Sequence, residues 1–260
     1  ALRRAYVRDP CGTLPNALWK TVIETDACRT AVVGPGPERL EMWDEHRLLV
    51  AWHETGTPSA RAHRLLERVE LALLHDRMMC QLDTSRFPTR TPYVRWMQSL
   101  PMNSTPPSVR EHSFDPVRLP EEVGAVSHFI GRCYKDLAPS TAEVGLWTKR
   151  SVFDPSLWVW IRRREDRHPV ALGIAEHDRS IGEVSLEWIQ VHPDMRRLGF
   201  GTALVSHLLH RGSRHGQYAT VSGRAGSAVE SLYRRCGFSG DDLWWCLQRR
   251  EDCRRTFTQQ

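Results

Sequence analysis

No stretch of the 260-residue chain approaches the roughly 20 consecutive apolar residues that a membrane-spanning helix needs. The opening residues, Ala1-Leu2-Arg3-Arg4, lack the apolar centre of a secretory leader. These two absences make a cytoplasmic protein without a membrane partner the expectation. No Cys-x-x-Cys pair occurs among the seven scattered cysteines, Cys11, Cys28, Cys80, Cys133, Cys236, Cys246 and Cys253. Neither a zinc ribbon nor a disulfide framework is therefore expected, and the thiols read as reduced and buried. A large excess of one charge sign is missing too: 36 Lys and Arg stand against 31 Asp and Glu. The run Arg162-Arg163-Arg164 is followed at once by Glu165-Asp166-Arg167, the pattern of a solvated hairpin tip, so no nucleic-acid partner is expected. His207, His210 and His215 have no acidic companion close by, and no metal is expected.

What the chain does contain is enough apolar sequence, 40% of all residues, to build a buried core. Three prolines among small polar residues in Leu100-Pro-Met-Asn-Ser-Thr-Pro-Pro-Ser108 disfavour helix and strand, which places a domain boundary there, between 1–104 and 105–260. In the first part, strands are expected at Thr30–Val33, Leu40–Trp43 and Leu48–Trp52. Turns at Gly34–Pro37 and Asp44-Glu45 separate them, and a helix from Ala60 to Met79 carries a stripe of Leu65, Leu66, Val69, Leu73 and Leu74. Together these make a small α/β unit that names no chemistry.

The second part alternates elements in a more telling order. A strand is expected at Val109–Phe114, helices at Pro120–Leu137 and Thr141–Lys149, and a hairpin from Leu157–Ile161 and Pro169–Ala175. Then come a strand Glu183–Val191, a glycine turn, a helix Thr202–Arg211, a strand at Tyr218–Ser222, a helix Ser227–Arg235 and a strand Leu243–Gln248. This is an α/β (α+β) pattern, a mixed central sheet flanked by helices. Strand alternation puts Val184, Leu186 and Trp188 on a core face and Glu183, Ser185 and Glu187 on a polar face that would line a cleft. Behind Val191, the residues Arg196-Arg197-Leu198-Gly199-Phe200-Gly201 lead into a helix opened by Thr202. Free amides at a helix start, the positive end of its dipole, two glycines and two arginines make an anion site.

Arg196-x-x-Gly199-x-Gly201, between a strand ending in Val191-x-Pro193 and a helix, resembles the pyrophosphate motif of the GNAT superfamily of N-acetyltransferases. Ser231-Leu-Tyr233-Arg-Arg-Cys236-Gly237-Phe238 is similar to the Leu-Tyr…Gly-Phe segment of the same superfamily, and the likeness spans roughly residues 109–250. Ser185–Val191 and Thr220–Gly223 look like uncharacterised bacterial members with an added N-terminal domain.

The resemblance implies an acetyl-CoA-dependent N-acetyltransferase acting on a primary amine, expected to be that of a small molecule, with a peptide acceptor or a non-catalytic acetyl-CoA sensor as alternatives. Backbone groups of Ile189, Gln190 and Val191 would meet the pantetheine arm. Arg196, Arg197, Leu198, Gly199, Phe200, Gly201 and Thr202 would hold the pyrophosphate. Glu187 would act as general base, with Glu183 as fallback on the same face, and Tyr233 as the acid that protonates the thiolate. The family often carries Asn seven residues before the helix tyrosine, where this chain has Gly226. The first hundred residues read equally as a degenerate copy of the fold, a lid or a homodimer surface.

Overall fold

The computed structural model describes residues 2–25, 28–33, 39–51, 57–100, 109–134 and 137–249. The expected turn at Gly34–Pro37, the residue Trp52 and the proline-rich segment with its 104/105 boundary lie outside the described residues. In chain order the elements are α1 (Leu2–Arg8), α2 (Pro10–Thr13), α3 (Leu18–Thr25), β1 (Arg29–Val33), β2 (Arg39–Trp43), β3 (Arg47–Ala51), α4 (Ala60–Leu66), β4 (Leu71–His75), α5 (Asp76–Met79) and β5 (Thr89–Ser99). They continue with β6 (His112–Pro116), α6 (Val123–Cys133), α7 (Thr141–Trp147), β7 (Trp158–Arg163), β8 (Pro169–Asp178), β9 (Glu183–Val191), α8 (Phe200–Gly212), β10 (Tyr218–Arg224), α9 (Ala228–Arg235) and β11 (Ser239–Gln248).

By contact, the described residues divide into two units that do not follow chain order. One draws on Ala1–Met97, Thr220–Glu230 and Ser239–Gln260, the other on Gln98–Ala219 and Ser231–Phe238. In the first unit β1, β2 and β3 form an antiparallel meander, β3 runs parallel to β4, and β11 lies antiparallel between β4 and β5. This mixed sheet corrects the helix expected from Ala60 to Met79. Only Ala60–Leu66 is helical before the chain turns, and Leu71–His75 is a strand buried along its whole length. A short, uniformly apolar run fits a buried strand as well as a helix stripe, and pairing on both edges decides it. The eleven-residue β5, which no expectation included, hides its pattern behind Pro92 and a buried Arg95.

In the second unit β6, β7, β8 and β9 form an antiparallel sheet covered on both faces. One face takes α6 and α7, whose Val123, Val126, Phe129, Ile130, Val144 and Trp147 pack against Trp158, Trp160, Leu172, Ile174 and Trp188. Ser140 starts α7 with a reciprocal capping box to Glu143, which fills two helix-start amides. The other face takes α8: Phe200, Ala203 and Leu204 pack against Ile161, Val170 and Ala171. Gly173 permits this approach, since a Cβ there would stand 2.8 Å from Leu208 and 2.9 Å from Leu204. Burial on both faces explains why Trp158–Ile161 is apolar without alternation. The strand expected at Val109–Phe114 begins only at His112, because Val109 and His112 close a turn around Glu111 at φ +60°.

The main departure lies inside β9. Ala175 pairs with Leu186, but the next β8 pair is Ile174 with Trp188, so Glu187 is the extra residue of a β-bulge. Before the bulge, Val184 lies against α8, where a Cβ on Gly212 would come within 3.1 Å of its methyl group. After it, Ile189 and Val191 face α8 and Trp188 has crossed to the α6/α7 side. The expected single face of Val184, Leu186 and Trp188 is therefore wrong. The expected polar cleft face is wrong at its start too, since Glu183 and Ser185 are buried.

Candidate active site

At the C-terminal end of β9 the chain makes one 3-10 turn, Pro193–Met195, and then bends through two left-handed residues, Arg197 at φ +63° and Gly199 at φ +86°, before α8 starts at Phe200. Gly199 is the N-cap and offers no side chain to the helix. The first amide to find an acceptor within the helix is that of Ala203, which donates to the Gly199 carbonyl at 3.0 Å. The amides of Phe200, Gly201 and Thr202 thus head a thirteen-residue helix with no acidic residue in its first turn. A Cβ added at Gly199 would meet nothing within 4 Å, so open space lies at the N-cap. Arg197 and Leu198 are exposed, Leu198 at 64%, and Gly201 rests on Leu232 of α9. A helix start of this kind attracts an anion.

Arg196 does something other than extend toward that anion. Its Nε donates to the Val191 carbonyl at 3.3 Å and a terminal nitrogen donates to the Cys133 carbonyl at 3.0 Å, so the side chain clasps the end of α6 to the end of β9. The Cys133 thiol also donates to Val191 at 3.7 Å, and burial pushes its pKa up to about 11. His192 donates to Val170 of β8, so by strand alternation the backbone groups of Ile189 and Val191 point away from β8 and that of Gln190 points toward it. The Gln190 side chain, buried on the α6/α7 face, donates to the Tyr134 hydroxyl at 3.3 Å.

Tyr233 is buried on α9, edge-on to Phe238 with ring centroids 5.6 Å apart. Burial drives its pKa far above the ordinary phenol value, and Tyr134, Cys236 and Glu187 add to the rise. The phenol is thus protonated at any pH near neutrality. The structure brings Glu187, half-buried at the bulge, within electrostatic reach of Tyr233. Glu183 is fully buried four residues earlier on the strand. Cys236 is buried, with its thiol raised by that burial and directed at the Thr202 carbonyl at 3.9 Å. Gly226 sits in the turn before α9 at φ +68°, its amide donating to Glu230. Asn and Gly share that left-handed region, so the exchange with the family's usual Asn alters a side chain rather than the path of the backbone.

Two residues near this site escaped the sequence: Tyr134, just past α6 and edge-on to Trp188, and Arg150, just past α7. Neither carries a motif. His207 stacks on Phe114 with centroids 4.0 Å apart, and burial and then Arg211 push its pKa down to about 4. Among the described residues no three His, Cys, Asp or Glu side chains gather as a metal site, and no helix is long and apolar enough to cross a membrane.

A family profile described as the acetyltransferase (GNAT) domain matches residues 156–240, from just before β7 into β11. Over that stretch the chain is similar to a GNAT acetyltransferase domain. Solved structures agree on the fold across more of the chain. A GCN5-related N-acetyltransferase from Sphaerobacter thermophilus superposes with TM-score 0.67 at 11% identity, covering 81% of this chain and 76% of its own. A GNAT-family acetyltransferase from Colwellia psychrerythraea gives 0.63 at 11% identity over 95% and 94%. A tandem GNAT protein from the clavulanic acid biosynthesis pathway gives 0.57 at 11% identity over 96% and 94%. No curated protein sequence matches the chain. Within the matched stretch lie the bulged β9, the glycine turn, α8 and α9, the elements that carry the candidate site.

Proposed function

We propose that the protein transfers the acetyl group of acetyl-CoA to the primary amine of a small molecule. The observation that carries this reading is the uncapped start of α8 beside the end of β9. Amides of Phe200, Gly201 and Thr202 head the helix without a side-chain cap, beside open space at Gly199. Acetyl-CoA would supply the thioester whose carbonyl the amine attacks. Arg197 to Thr202 would hold the diphosphate, and the outward backbone of Ile189 and Val191 would align the pantetheine arm. The Val191 carbonyl is already engaged by Arg196 and Cys133, which leaves its amide as the better contact.

The new amide bond requires the amine to lose a proton and the departing thiolate to gain one. Glu187 takes the first and Tyr233 supplies the second, as proton donor or hydrogen-bond donor to sulfur. The raised pKa of Tyr233 keeps its proton in place until a thiolate arrives. The full-length likeness to a tandem GNAT protein of a small-molecule pathway supports a small-molecule acceptor over a peptide, and supports reading the first unit as a second copy of the fold.

Titrating coenzyme A into the protein tests the claim. Saturating coenzyme A is expected to raise the melting temperature, because a ligand that binds only the folded state stabilises it by mass action. An unchanged melting temperature would sink the reading. A thiol-release screen across diamines, amino acids, aminoglycosides and peptides then assigns the acceptor.

A further inference from the structure

A cleft of about 610 Å³ lies wholly within the first unit, between the β2–β3 hairpin turn and the turn that joins α4 to β4. Small-molecule sites have volumes of this order. Asp44 ties the hairpin turn. Its amide donates to the Arg47 carbonyl at 3.0 Å, and its carboxylate accepts the His46 and Arg47 amides at 2.7 Å each and the Arg47 Nε at 2.6 Å. The His46 carbonyl accepts the amides of Glu70 at 2.8 Å and Leu71 at 3.0 Å, which pins the start of β4 against the turn. On the opposite wall the amides of Arg68 and Val69 both close on the Leu65 carbonyl. Trp43, Leu65 and Val69 make the apolar side of the cleft and pack on the core behind it. Arg61 of α4 steadies the Trp43 indole: its guanidinium lies over the ring at 5.1 Å and faces the buried Glu41 at 3.7 Å.

The polar side of the cleft holds more positive charge than the fold itself uses. Asp44 is spent on Arg47 and two amides, so it offers a ligand nothing. Arg29, opposite Trp43 in the β1–β2 ladder, and Arg68 both line the cleft and are exposed. Among the described residues neither guanidinium makes an ion pair or a hydrogen bond. His46 shares this rim, and Glu45 is the one acidic residue on it that Arg47 does not hold. An indole beside aliphatic side chains suits a flat aromatic body, and a pair of guanidiniums suits a carboxylate or phosphate held by two parallel hydrogen bonds. We propose that this cleft binds a small planar aromatic anion, its ring against Trp43 and its carboxylate or phosphate on Arg29 and Arg68. The site is built by the first unit alone and does not depend on the reading of the α8 start.

Calorimetric titration of the full chain with naphthoate and with naphthyl phosphate tests this, with uncharged naphthol as control. Each titration is repeated in saturating coenzyme A, which keeps any binding at the α8 start out of the result. NMR of the tryptophan indole N–H signals, with Trp43→Phe to assign one of them, locates the ligand. At least one anion is expected to bind and to move the Trp43 signal, with naphthol about tenfold weaker. Changing Arg29→Gln and Arg68→Gln together weakens the anion about tenfold and leaves naphthol as it was. Glu45→Gln tightens the anion roughly threefold, because it removes the opposing charge. These three side chains are exposed, so their replacement leaves the fold and the coenzyme A thermal shift intact, and they decide the matter even if Trp43→Phe does not fold. The anion that binds tighter identifies the head group. No binding by either anion, equal affinity for naphthol, or an affinity untouched by the loss of both arginines overturns the proposal. A chain that ignores coenzyme A would sink the proposed function and leave this test standing.

Discussion

Tyr233 and Glu187 lie far apart in sequence, yet the fold brings them within electrostatic reach of each other. Removing the phenol oxygen separates the packing of the Tyr233 ring on Phe238 from the proton donation proposed for its hydroxyl. Tyr233→Phe is expected to keep coenzyme A affinity and stability near wild type while kcat falls about 10²–10⁴-fold, the usual range for a general acid. Steady-state kinetics beside a coenzyme A titration read the two effects separately, and undiminished kcat would remove Tyr233 from the chemistry. The sequence singles out these two residues because a family pattern marks them. It does not single out Tyr134 and Arg150, for a physical reason. Their place depends on where α6 and α7 end and on which tryptophan each ring or guanidinium meets, and neither is encoded by a local spacing.

Elements show where local pattern suffices and where it fails. The bounds of β9 match the expected Glu183–Val191, and the α7 start carries its capping box in plain sequence. The bulge in β9 does not, because one extra residue in a period-two pattern leaves no compositional mark; only the pairing with β8 shows it. The helix expected across Ala60–Met79 failed because Leu71–His75 is buried by β3 and β11, partners distant in the chain. At the glycine turn, pattern and structure agree, and the turn permits a sharp test. Gly199→Ala meets no steric obstacle but must hold φ near +86°, which costs an L-residue about 1–2 kcal/mol. The turn is expected to relax, lowering the melting temperature by a few degrees and weakening coenzyme A binding together. Isothermal titration would show it; wild-type affinity in this variant would mean that the turn's left-handed bend is unnecessary for the anion.

For the molecule as a whole, two half-buried titratable groups in different contact units pull stability in opposite directions with pH. Glu24, on α3 of the first unit, stands 3.7 Å from Arg47, yet burial outweighs that cation and raises its pKa from 4.5 to about 7. The folded chain then holds a proton that the unfolded chain releases, so this contribution is complete below pH 4.5 and is lost as pH rises toward 7. His207, on α8 of the second unit, has its pKa lowered from 6.5 to about 4 by burial and by Arg211, His210 and Arg214. Here the folded chain refuses a proton that the unfolded chain accepts, so the contribution is complete above pH 6.5 and is lost as pH falls toward 4. Between pH 4.5 and 6.5 the two slopes oppose each other, and the melting temperature is expected to vary less with pH than either group alone would make it. Glu24→Gln unmasks the histidine's slope, so that stability falls on acidification through this window. His207→Phe keeps the stack on Phe114 and unmasks the carboxylate's slope, so that stability falls on raising the pH. Melting curves of the two variants from pH 4 to 8 should tilt in opposite senses; parallel curves would mean that neither group is held in the buried, shifted state its packing indicates.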